Sequence, residues 1–261
     1  MSRKVLTIDI ETAPHLCYSF QVWNTNISPV HIVEPSRMLS FAAKWEHDRR
    51  VMFLSEFDFG GPENFLDPEI RADYHRVMVT AAWELLNEAD VVVTYNGDRF
   101  DLRRLGQEFR LAGLGQPSPF ASVDLYKVIK SEEEWLSHKL AYITERYKLT
   151  GKLEAGVDFS LWRGCMDGDP KSWRLMRRYN KQDVVTTEEV FHEVSDLPMN
   201  LPALALYDEE PIFEGHCPVC RQQGQSRGFA YTKTRRYPRF YCPTDKKWFR
   251  GNRSDRTAGI A

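Results

Sequence analysis

Apolar positions along the chain follow two rhythms. KVLTIDI (4–10), MLSFAAKW (38–45) and VMFLS (51–55) are short runs rich in large apolar residues, the last two separated by the polar turn EHDRR, and together they predict three strands in an antiparallel start. Residues 70–88 switch to a helical spacing that ends in AAWELLNEA, and ADVVVTYN (89–96) returns as a nearly continuous apolar strand suited to a buried parallel position. Asn96 and Gly97 break that run. A helix is expected over 98–112, with Phe100, Leu102, Leu105 and Phe109 divided between core and site. A Gly/Pro/Ser loop covers 113–119, SVDLYKVI (122–129) reads as a fifth strand, and helices are expected over 135–147 and 170–193. Three early strands followed by alternating helix and strand is an α/β order, a mixed five-stranded sheet flanked by helices.

Acidic residues sit where the apolar runs end. Asp9 and Glu11 close the first run, Asp101 lies just inside the helix after the fourth strand, and Asp183 lies in RRYNKQDVVTTEEVF with Tyr179 four residues before it. In a strand, residues two apart share a face, so Asp9 and Glu11 project together while Ile8 and Ile10 point to the other side. In a helix, residues four apart share a face, which does the same for Tyr179 and Asp183. No Lys or Arg stands between Asp9 and Glu11, and buried carboxylates are costly unless a cation meets them. Hard oxygen ligands suit magnesium or manganese, and two such ions roughly 4 Å apart clamp an in-line phosphoryl displacement. Taken singly, each fragment has an ordinary reading: a solvated strand end, a helix N-terminal carboxylate, a half-buried tyrosine.

DIET, YNGDRFDL and YNKQD, in this order, resemble the three exonuclease motifs of the DEDDy branch of the ribonuclease H-like 3′ to 5′ exonucleases. The wording is closest to the exonuclease domains of family B DNA polymerases and to stand-alone phage exonucleases, over roughly residues 1–195. The resemblance implies a ribonuclease H-like sheet and a two-metal site. Asp9 would bridge two magnesium or manganese ions, Glu11 and Asp183 would complete the first site, and Asp101 would hold the second mainly through water. Tyr179 matches the tyrosine that places the attacking water; Arg178 stands where the sister branch has histidine. The implied reaction releases 5′-nucleotides from DNA, single-stranded or at 3′ ends. An RNA- or structure-selective nuclease and a non-catalytic nucleic-acid-binding protein are the alternatives.

The same resemblance places Asn96 and Phe100 near the terminal nucleotide and Thr12 at the substrate end. A turn and a core position are the ordinary readings of Asn96 and Phe100. Arg103, Arg104, Arg177 and Arg178 flank two of the motifs, where a solvated charged face is the default and a reach to phosphates the alternative.

Past a Pro-punctuated connector (198–211), residues 212–261 change character. GHCPVC and YCPTDKKW give Cys217, Cys220 and Cys242 with Asp245 where a fourth cysteine would stand, a pattern that resembles a zinc ribbon holding one structural zinc. His216 is a poorer geometric candidate for the fourth ligand. Aromatic residues interleave with Lys and Arg throughout this segment, some needed as core and the remainder suited to single-stranded nucleic acid.

Charge separates the two parts. The net charge of the 261 residues is −2, yet residues 212–261 carry eleven Lys/Arg against three Asp/Glu, leaving 24 basic and 34 acidic residues before them. An acidic body with a basic tail module fits a nuclease whose carboxylates lie in one part and whose phosphate-attracting surface lies partly in another. The division expected is a nuclease domain over 1–197, a linker over 198–211 and the basic module over 212–261. Five cysteines, three of them clustered, argue for reduced thiols rather than a disulfide framework. With no signal-peptide pattern and no apolar stretch near ~20 residues, a cytoplasmic protein that does not enter a membrane is expected, in the host cytoplasm if phage-encoded. A chain of this length without polymerase motifs would proofread only beside a DNA polymerase or another replication protein.

Overall fold

The computed structural model describes residues 3–23, 25–58, 60–151, 157–194, 204, 213–232 and 234–258. β1 (Val5–Thr12) is followed by a two-stranded arm, β2 (Leu16–Cys17) and β3 (Ile32–Glu34), and then by β4 (Met38–Trp45) and β5 (Met52–Ser55). With β6 (Val91–Thr94) and β7 (Ala121–Asp124), the main strands form one sheet in the order β5-β4-β1-β6-β7. β4 runs antiparallel to β1 and β5, whereas β6 runs parallel to β1 and β7. This is the mixed five-stranded sheet expected from the chain's two rhythms.

Helices cover both faces. α1 (Gly61–Leu66) and α2 (Pro68–Glu88) precede β6; α3 (Asp101–Leu111) follows it. α4 (Leu125–Glu132), α5 (Leu140–Tyr147), α6 (Phe159–Met166) and α7 (Pro170–Glu193) come after β7. The two long helices start alike: Asp67 accepts from the backbone of Glu69 and Ile70, Asp169 from that of Lys171 and Ser172, and each is followed by a proline whose missing N–H costs nothing there.

Alternation along β1 builds the two layers. Leu6, Ile8 and Ile10 pack with Met78, Val79, Ala82 and Leu86 of α2 and with Leu105 and Phe109 of α3. Val5 joins Val91, Val93 and Val123 in a second core that takes in Ile143 of α5 and Val190 and Phe191 of α7. A slip of one residue would drive Asp9 and Glu11 into the α2 layer and expose three large side chains worth about 1.5–3 kcal/mol each, so the register is strongly fixed.

Three expectations need correction. The strand expected over 122–129 stops at Asp124, whose side chain accepts from Tyr126 N and starts α4; Leu125, Val128 and Ile129 are buried at helical spacing. The helix expected over 135–147 begins only at Leu140, and the helix expected from 98 begins at Asp101. The segment 198–211 lies outside the described residues, apart from Leu204.

Behind the sheet lies a buried ionic cluster. His75 of α2 has Nδ1 2.8 Å from Glu56 and Nε2 3.1 Å from Glu108, while Arg37 Nε donates to Glu56 at 2.8 Å and the Met38 N–H to Glu108 at 2.9 Å. Burial alone would lower the His75 pKa, but its two carboxylate partners outweigh burial and raise it to about 9.

The tail module is a separate antiparallel sheet of β8 (Gln225–Tyr231), β9 (Arg235–Cys242), β10 (Lys247–Arg250) and β11 (Arg256–Thr257), with β9 pairing to all three others. It meets the body where Arg3 donates to Val219 O at 3.3 Å and Val219 packs against the second core. No helix among the described residues is long and apolar enough to cross a membrane.

Candidate functional site

The face of β1 opposite its aliphatic side carries Asp9 and Glu11, and α7 brings Asp183 to them. One oxygen from each of the three lies within 4.8 Å of the others, with Asp183 buried and the two strand residues half-buried. Three hard donors held that close fit a divalent cation.

Asp101 stands beside this trio and outside it. Its Oδ1 accepts from the N–H of Ile10, the residue between Asp9 and Glu11, at 3.1 Å, and its side chain is buried at the first turn of α3. The carboxylate therefore ties α3 to β1 at the site.

Tyr179 shares the helix face of Asp183. Burial and the charges of Asp183, Glu11 and Asp9, together with a hydrogen bond to Asp183, push its hydroxyl above the ordinary tyrosine range. It stays protonated near neutral pH and acts as a donor. Its ring meets Trp162 of α6 edge-on at 6.0 Å, so the packed-aromatic reading and the site reading hold together.

The structure adds Asn180, which the sequence reading passed over. Fully buried, it donates to Asp9 Oδ2 at 2.6 Å and Asp9 O at 3.2 Å, and accepts from Ser40 Oγ at 3.1 Å. It fixes the orientation of Asp9 from α7. Its place between Tyr179 and Asp183 was the available signal.

Asp124 is a second addition. Its Oδ1 accepts from Asn96 N at 2.8 Å, and Asn96 takes a left-handed φ of 64°. A Cβ on Gly97 would come within 2.4 Å of the Thr94 side chain, so only glycine fits this turn. Burial raises the Asp124 pKa against the pull of that backbone donor. The turn presents Phe100, 47% exposed, rather than burying it as core. Thr12 is half-buried at a register shift where β1 meets β4.

Two of the flanking arginines are tied to the body. Arg104 bonds Ser36 through its carbonyl (3.2 Å) and hydroxyl (3.1 Å), and Arg177 pairs with Asp58, so both have structural partners.

In the tail module the four expected ligands come together. Cys217 Sγ lies 3.1 Å and Cys242 Sγ 3.4 Å from Asp245 Oδ2, and the sulfurs of Cys220 and Cys242 are 3.5 Å apart. Zinc bonds of about 2.3 Å to sulfur and about 2.0 Å to oxygen give tetrahedral edges of roughly 3.8 Å (S–S) and roughly 3.5 Å (S–O), so the donor set fits a zinc ion. His216 is outside the group; its backbone bridges Gln223.

The model of the RNase_H superfamily matches residues 50–195, more than half of the chain, beginning after the strand that carries Asp9 and Glu11. No curated protein matches. Among solved structures, the family B DNA polymerase from the hyperthermophilic archaeon Pyrobaculum calidifontis is similar, at 17% identity and a TM-score of 0.49, covering 90% of this chain and 32% of that one. The chain thus spans about a third of that polymerase's length.

Proposed function

The chain belongs to the RNase H superfamily, and from that premise we propose that it is a metal-dependent 3′ to 5′ exonuclease of the DEDDy type that hydrolyses DNA. The observation that carries the reading is the meeting of Asp9, Glu11 and Asp183 from two distant elements, with Tyr179 on the same helix face as Asp183. The motif wording DIET, YNGDRFDL and YNKQD supports the subtype.

Magnesium or manganese ions bound to these carboxylates would supply the electrostatic stabilisation that an in-line attack on a phosphodiester needs. Asp9, Glu11 and Asp183 would hold the cations, and Asp101 would contribute from its seat on Ile10 N. Tyr179, beside Asp183 on the same helix face, would orient the attacking water through its hydroxyl. Asn96 and Phe100 at the Gly97 turn would receive the terminal nucleotide, the aromatic ring by stacking, which is worth about 1–3 kcal/mol per base and accepts any sequence. Thr12 would touch the same end. Asp124 positions the backbone of Asn96. Cys217, Cys220, Cys242 and Asp245 would hold a structural zinc, and a DNA polymerase or other replication protein would be the partner in proofreading.

The test is direct. End-labelled single-stranded DNA, duplex DNA and RNA are offered separately with magnesium or manganese. The expected result is stepwise loss from the 3′ end of single-stranded DNA by the wild type, and none by a folded Asp9→Ala protein. Full activity in that variant, or no cleavage of any substrate by the wild type, would reject the reading.

A further inference from the structure

The two faces of the tail sheet are unlike. On one, Phe240 and Phe249 stack at 5.4 Å, and a Cβ at Gly224 would meet Phe249 at 2.6 Å, so this face is the packed core of the module. On β9 every second residue turns away from it, which places Tyr237, Arg239 and Tyr241 on the outer face. Pairing to β10 sets Trp248 opposite Tyr241 and Arg250 opposite Arg239, so these join the same face.

The five side chains form an alternating ladder. Tyr241 and Trp248 have ring centroids 5.1 Å apart, the Arg239 guanidinium lies 5.0 Å from the Trp248 ring, and the Arg250 guanidinium 4.4 Å from the Tyr237 ring. Trp248 remains 55% exposed. A small module gains nothing for its own core from a large aromatic left in water, and Phe240 and Phe249 already fill that role.

The module's three carboxylates lie elsewhere. Asp245 is among the cysteines, Asp255 is held by Arg236 on the other face at 2.6–3.1 Å, and Glu214 lies against Gly251. Among the described residues no acidic side chain offsets Arg239 or Arg250 on the outer face; Arg239 donates through Nε and Nη2 to the Arg227 carbonyl at 3.1 and 2.9 Å, a neutral partner that leaves its charge unbalanced. Cations set against open aromatic rings match a ligand with negative charge and flat apolar faces in regular succession. A single-stranded nucleic acid has both; a duplex hides its base faces.

We propose that the outer face formed by Tyr237, Arg239, Tyr241, Trp248 and Arg250 is a second binding surface for single-stranded nucleic acid. It stacks bases on Trp248 and Tyr241 and sets phosphates against the two arginines. The proposal rests on the nuclease reading and adds how the enzyme would keep hold of its substrate. The module meets the body at Arg3, six residues before Asp9 and so about 20 Å away along an extended strand. A nucleic-acid strand seated on the ladder would lie on a surface separate from the carboxylate site. Long substrates therefore use both surfaces and short ones only the carboxylate site.

Binding is measured on the full, zinc-loaded chain without magnesium or manganese, by fluorescence anisotropy of labelled oligothymidylate of roughly 20 nucleotides, a length within the usual reach of a single-strand groove together with the site. Trp248→Ala is expected to weaken binding about 10-fold, the size of one lost stacking contact. Arg239→Gln with Arg250→Gln is expected to flatten the salt dependence by about 1.4 in the log–log slope, the value for two phosphates of a single strand. Hydrolysis of a dinucleotide by both variants should equal wild type, which shows that the fold and the carboxylate site survive. Unchanged affinity and unchanged salt slope, or equal losses with duplex DNA, would overturn the proposal. Failure of the nuclease reading would look different: oligothymidylate binding would stay sensitive to both variants while the wild type cleaved nothing.

Discussion

Asn180 offers the sharpest test of how the site is held. Replacing it with leucine keeps the volume but removes the amide that donates to Asp9 Oδ2 at 2.6 Å and accepts from Ser40 Oγ at 3.1 Å. A hydrogen bond to a charged group contributes about 1.5–3 kcal/mol. Outer partners of ligating carboxylates typically account for about 10–100-fold in metal affinity, which at about 1.4 kcal/mol per factor of ten covers the same range. Both routes lead to the same expectation: Asn180→Leu binds manganese about 10–100-fold more weakly, because Asp9 must be reoriented on binding. At saturating manganese the rate should return to within a few-fold of wild type, since Asn180 orients a carboxylate and does not touch the substrate. Calorimetric titration of manganese into the zinc-loaded chain, with cleavage rates followed over metal concentration, measures both quantities. Unaltered manganese affinity would show that the amide is only a packing element and refute the reasoning.

Three further outcomes are expected. Tyr179→Phe should slow single-turnover cleavage about 10-fold or more while leaving manganese affinity nearly intact, because a protonated phenol donates and does not ligate; an unchanged rate would return Tyr179 to a purely packed role. His75 has its pKa raised to about 9 in the fold from 6.5, so its contribution is complete below about pH 6.5 and is lost as pH rises through about 9; the shift corresponds to at most about 3 kcal/mol. Urea midpoints should fall across that window, and His75→Gln should flatten the profile; a variant with the wild-type pH slope would contradict the charge bridge between Glu56 and Glu108. Purified protein should contain about one zinc per chain, and chelation should loosen the tail sheet before the body; Cys220→Ser should do the same, and an elemental assay without zinc would remove that site.

Spacing within an element was readable from the sequence. The two-residue step of Asp9 and Glu11 and the four-residue step of Tyr179 and Asp183 fixed which side chains share a face, because strand and helix geometry impose those periods on any chain. The same rule showed the mixed sheet through its short apolar runs. It failed at 122–129, where Asp124 ends a strand and caps a helix within one apolar stretch, because four apolar positions fit both periods. Relations between elements came only with the tertiary structure. Asp101 reaches Ile10 across 91 positions and Asn180 reaches Asp9 across 171, contacts set by how α3 and α7 pack on β1 and by no local pattern. The division of the tail's aromatics into core and outer ladder was equally hidden, since composition gives their number while strand register alone decides which face each one occupies.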